Sequence, residues 1–123
     1  MTAYTRSADE AVGYHETIAL DDQIPDYTGW TFAATFARFV GDPDAIALGM
    51  AADDDSDGWR IVDGPGRLVS LRIGGDTLQT YPDTSGRFTL FSNVLAAPPG
   101  QEPFHFCDMT IDVQKGPTTW PIS

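Results

Sequence analysis

Apolar residues recur at every second position in three stretches of the chain, and a period of two marks a β-strand with one buried and one exposed face. In residues 30–36, Trp30, Phe32, Ala34 and Phe36 alternate with Thr31, Ala33 and Thr35. In residues 69–73, Val69, Leu71 and Ile73 alternate with Ser70 and Arg72, behind the turn sequence Asp63-Gly64-Pro65-Gly66. In residues 106–113, Cys107, Met109, Ile111 and Val113 alternate with Phe106, Asp108, Thr110 and Asp112. Four weaker segments, at 14–20, 45–50, 59–62 and 88–92, are bounded by Gly, Pro or Asp clusters.

Twelve Gly and nine Pro leave room for strands but not for long helices. The pattern predicts an all-β fold, an immunoglobulin-like antiparallel β-sandwich of about seven strands. One helical turn is expected at residues 75–81, capped by Asp76 or Thr77 and stopped by Pro82. The expected organisation is an N-terminal arm (1–13), a sandwich domain (14–114) and an extended C-terminal tail (115–123), whose two prolines and single tryptophan follow no period.

A length of 123 residues and a 41% hydrophobic content suit one globular core. Eighteen acidic residues against seven basic ones give a net charge of -11, which repels phosphate backbones and argues against nucleic-acid binding. No apolar run reaches the roughly 18 residues of a membrane span, and residues 1–16 lack the apolar core of a signal peptide. Synthesis in the cytoplasm of the cell that makes it, without membrane insertion, is therefore expected.

Candidate chemistry is sparse. The single cysteine, Cys107, excludes an internal disulfide and a cysteine metal cluster. It shares a strand face with His105, but residues two apart on a strand are about 6 to 7 Å apart, and a buried thiol beside a half-buried imidazole explains the pair better than a nucleophile does. His15 is placed on an edge strand, facing away from Glu16. Asp108 and Asp112 share a face but lie too far apart to act on one bond. Asp53, Asp55 and Asp57, followed by Gly58, have the alternate spacing of a calcium loop, but Gly64 stands where its closing glutamate belongs. A solvated acidic turn accounts for the same residues, and no cofactor or metal is expected. Trp59, Trp120, Tyr81 and Tyr27 are candidates for a stacking platform or interface anchors. Trp30 and Trp59 are assigned to the core. Trp120, Pro121, Pro117 and Tyr81 are the candidate interface residues.

The order of elements resembles a family of small proteins found in the structural gene clusters of tailed phages and prophages. The resemblance rests on Asp26-Tyr27-Thr28-Gly29-Trp30 leading into an alternating strand, on Ala45-Ile46-Ala47-Leu48, and on Gly66-Arg67-Leu68-Val69-Ser70-Leu71-Arg72-Ile73. It continues through Thr77-Leu78-Gln79-Thr80-Tyr81-Pro82 and closes on Met109-Thr110-Ile111-Asp112-Val113. It implies a non-enzymatic, immunoglobulin-like component of a virion, in the tail, baseplate, fibre attachment or head surface. Its partners would be other virion proteins and further copies of itself in a symmetric assembly. The alternative is a carbohydrate- or calcium-binding adhesion module.

Overall fold

A computed structural model describes residues 2–9, 13–19, 24–53, 55–81 and 86–114. Among these the chain forms eight strands and one short helix: β1 (Thr2–Asp9), β2 (Tyr14–Ala19), β3 (Thr31–Phe36), β4 (Ile46–Leu48), β5 (Gly58–Asp63), β6 (Leu68–Ile73), α1 (Gly75–Thr80), β7 (Arg87–Ala97) and β8 (Phe104–Gln114). They make a five-stranded sheet in the order β1-β8-β7-β3-β4 and a three-stranded sheet in the order β2-β6-β5. No described helix is long and apolar enough to cross a membrane.

The period-two segments are the centre of this arrangement. Phe32, Ala34 and Phe36 of β3 are buried and their neighbours exposed, and Cys107, Met109, Ile111 and Val113 bury the same way on β8. β6 supplies Val69, Leu71 and Ile73 from the other sheet, each fully enclosed. Phe32 of β3 and Trp59 of β5 stack across the interior with ring centroids 5.8 Å apart, so the two sheets share one core. Each such side chain contributes about 1.5–3 kcal/mol relative to exposure. Trp30 precedes β3 and is only partly buried, with its ring against Tyr27 and Phe104.

Three boundaries differ from the sequence expectation. Residues 2–9, expected in an arm, are an eighth strand: β1 pairs in parallel with β8, from Thr2 opposite Cys107 to Asp9 opposite Gln114. Its sequence lacks a clean alternation, so only the partner strand reveals it. β7 runs on past Ser92 to Ala97 because Val94 and Ala96 continue its buried phase, and the turn starts at Pro98. The helix is placed as expected, but its N-cap is Gly74, which makes no side-chain capping bond. The tail at 115–123 lies outside the described residues.

The two lateral sides of the molecule are closed differently. On the β4 and β5 side the chain crosses between sheets through backbone bonds, Trp59 N–H to Gly49 O at 2.9 Å and Ala51 N–H to Trp59 O at 2.7 Å. On the β1 and β2 side the link is made by side chains: Arg6 Nε lies 2.6 Å from Glu16 Oε2, and the Tyr14 hydroxyl donates to the same carboxylate oxygen.

Candidate functional site: the outer face of the five-stranded sheet

The outer face of the five-stranded sheet carries small residues along β3 and large ones along β7. Ala33 and Thr35 leave a shallow floor, and Phe91 and Leu95, out of phase with the buried residues of β7, stand exposed beside it. The loop from Arg38 to Ala45 forms the opposite wall with Phe39 and Val40, and Val40 is fully exposed. The result is a groove of about 710 Å³, joined through Thr35 and Asn93 to a second hollow of about 350 Å³ beside β4.

Asp42 fixes that loop. Its carboxylate is buried and accepts the Tyr81 hydroxyl, the backbone N–H groups of Arg38 (3.2 Å) and Asp44 (3.0 Å), and Arg38 Nε at 3.4 Å. The Tyr81 hydroxyl leads the donors that hold the Asp42 carboxyl well below the usual carboxylate range. The loop's tip is a tight turn closed by Asp42 N–H to Phe39 O at 3.2 Å, and Gly41 supplies the positive φ of 86° that its third position needs. Phe39 and Val40 are thus apolar side chains held out on a braced turn.

Polar groups occupy the middle of the face. Asp108 Oδ1 accepts Asn93 Nδ2 at 2.7 Å and lies 2.8 Å from His105 Nε2, and these two contacts, Asn93 first, lower the Asp108 carboxyl from its ordinary value. Three residues apart on a regular strand, His105 and Asp108 would point to opposite faces. A bulge between Val94 and Leu95 pairs those residues with Cys107 and His105, leaves Phe106 as the extra residue, and so turns His105 outward.

The bulge also separates His105 from Cys107. The thiol is buried and pushed up to about 11 by that burial, while the imidazole engages Asp108 on the other face. His15 lies on edge strand β2, exposed, with Glu16 on the opposite face bound to Arg6 and Tyr14. Asp112 accepts Thr89 Oγ1 at 2.7 Å, which fastens β8 to β7.

The acidic turn is occupied by its own backbone and by a neighbouring serine hydroxyl. Asp53 Oδ1 accepts Asp55 N–H (2.9 Å) and Ser56 Oγ (2.8 Å), a local turn of the kind Asp favours. Asp57 points elsewhere, accepting Gly74 N–H at 2.8 Å and Thr77 Oγ1 at 2.6 Å, and so does from a distance what a capping side chain does for α1. Among the described residues no group of three or more His, Cys, Asp or Glu side chains is placed to hold a metal ion. Asp57→Ala is expected to cost about 1 kcal/mol, the usual value of a helix cap. Urea unfolding of the two proteins measures it, and an unchanged midpoint would show that α1 starts without this contact.

Of the aromatic candidates, Tyr27, Trp59 and Tyr81 are core residues and form no exposed platform. Tyr81, expected at an interface, instead stacks on Phe88 at 4.9 Å and carries Asp42 on its hydroxyl. Trp120, Pro121 and Pro117 lie outside the described residues. Sequence reasoning missed Phe39, Val40, Phe91, Asn93 and Leu95. The available signal was β7 itself, whose outer phase includes the large apolar residues Phe91 and Leu95 although that face is open. The chain matches no protein-family model and no curated protein.

Proposed function

We propose that this protein is a non-enzymatic structural subunit of a phage or prophage particle, in the tail, baseplate, fibre attachment or head surface, and that it assembles through protein–protein contacts. The observation that carries the proposal is the outer sheet face, where Phe39, Val40, Phe91 and Leu95 are presented around a groove by a braced loop and a strand. Exposed apolar groups gathered on one rigid face cost solubility unless a partner covers them. The strand order supports an immunoglobulin-like sandwich. β2, β6 and β5 form one sheet, β4, β3, β7 and β8 the other, and β1 is added beside β8. Such sandwiches commonly serve as interaction modules.

The groove's chemistry describes its partner. Asp108 is half exposed on its floor and Asp44 stands near its wall, while Arg38 is engaged by both Asp42 and Asp44. In a chain of net charge -11 the complementary surface is a basic, apolar segment of a neighbouring virion protein.

Mass spectrometry of purified particles, from the phage or prophage encoding the chain, should find it in fixed stoichiometry with the other structural proteins. The double variant Phe91→Ser and Leu95→Ser should fold with an unchanged melting temperature and drop out of the particle by about tenfold or more, equivalent to one strong anchor. Absence of the wild-type chain from particles, or full incorporation of the variant, would overturn the proposal.

A further inference from the structure

The groove on the outer sheet face suits a segment that is both apolar and basic, and the chain itself contains one. Residues 10–12, 20–23, 54 and 82–85, which lie outside the described residues, each carry an acid: Glu10, Asp21 and Asp22, Asp54 and Asp83 in turn. Residues 115–123, Lys-Gly-Pro-Thr-Thr-Trp-Pro-Ile-Ser, differ from all of these. They hold no acid, and they carry the only lysine of the chain together with Trp120 and Ile122.

Charge favours this segment as the occupant. Its side chains sum to +1, and it would meet Asp108, half exposed on the groove floor, in a chain of net charge -11. Pro117 and Pro121 lack the N–H that a sheet ladder needs, so the segment fits a groove of side chains better than a strand edge. Size agrees as well. The groove, at about 710 Å³, falls within the roughly 300–1,000 Å³ of sites that enclose one small ligand, and a tryptophan is among the commonest anchors for such a hollow.

The tail of the same chain is badly placed to supply both groups. Asp108 and Gln114 stand six residues apart on β8, about 20 Å along the strand. The Cα of Lys115 lies within about 3.8 Å of that of Gln114, so it starts farther from Asp108 than a lysine side chain spans. A second copy has no such constraint.

We infer, on the reading of the groove as a docking site, that its occupant is residues 115–123 of a second copy of this chain. Trp120 enters between Phe91 and Val40, and Lys115 faces Asp108. Each copy then has one tail to give and one groove to fill. Such a head-to-tail contact propagates into a ring or a filament and does not stop at a pair.

Sedimentation of the full chain across a concentration series should show an average mass rising past that of a dimer. Trp120→Ser, with its groove intact, and the double variant Phe91→Ser and Leu95→Ser, with its tail intact, should each stay monomeric and keep native-like circular dichroism. Mixed, the two should form a one-to-one dimer of twice the monomer mass and nothing larger, because one groove and one tail remain to pair. A wild type that is monomeric at every concentration, a mixture no heavier than its components, or either variant alone associating as the wild type does would overturn the inference. In particles, Trp120→Ser should be lost as the groove variant is. Its normal incorporation beside loss of the groove variant would also overturn the inference, and would leave docking of another virion protein's segment standing. Absence of the wild-type chain from particles would overturn the virion assignment alone, and self-association would still be decided by sedimentation.

Discussion

Gly13→Ala is expected to cost about 4 kcal/mol, a large part of the 5–15 kcal/mol that holds a domain of this kind together. Gly13 carries the chain from β1 in one sheet to β2 in the other, at a φ of 79°. A side chain in that left-handed conformation costs about 1–2 kcal/mol. Its Cβ would also lie 2.4 Å from Ile73 O, 2.6 Å from Gly75 N and 2.8 Å from Gly74 C, all backbone atoms that no rotamer change can move. Displacing them adds about 1–3 kcal/mol. Thermal melting should therefore fall by about 15 °C. Gly41→Ala is the control, because Gly41 has nearly the same φ, 86°, with nothing within 4 Å of the added carbon. Equal shifts for the two variants would show that the crossing yields without strain.

Tyr81→Phe is expected to cost about 2 kcal/mol, since it leaves the ring in place and takes from a buried carboxylate its leading donor. The pH dependence identifies the bond. Held well below its ordinary 3.8, the Asp42 carboxyl binds a proton less readily folded than unfolded. Its contribution is therefore present above that ordinary value and is lost as pH falls toward the lower folded one. The Tyr81 hydroxyl is pushed up to about 12, by burial and then by its bond to Asp42, so the folded protein keeps a proton that the unfolded chain releases near 10.0. That contribution is complete below the unfolded value and is lost as pH rises through the folded one. Urea unfolding should thus show the largest gap between wild type and Tyr81→Phe around neutral pH, narrowing toward both extremes. A gap independent of pH would mean that the hydroxyl stabilises the loop by some other contact.

The parts of the fold legible in the sequence are those that bury one face of a regular strand. β3, β6 and β8 could be read because a period of two survives in Phe32 to Phe36, Val69 to Ile73 and Cys107 to Val113. β1 could not, because its place is decided by pairing with β8 at the far end of the sequence, and few of its own residues are apolar. Long-range bonds were hidden in the same way. Asp57 reads as one of a run of acids, and only the packing of β5 against β6 brings it beneath α1. The bulge at Phe106 is a slip of one residue, which alternation read from sequence assigns to the wrong face. The candidate site was the least legible feature, because its floor is made of alanine and threonine and its wall of a turn whose shape depends on Tyr81, a residue on a different loop.

The pairing of β1 with β8 also has a consequence in time. β1 has no sheet partner among the described strands until β8 has been made, because Thr2 pairs with Cys107 and Asp9 with Gln114. Contacts of such wide separation close late and slow the folding of β-sheet domains. Until then the side of β1 that β8 will occupy is an open edge, exposed to any other strand that reaches it first.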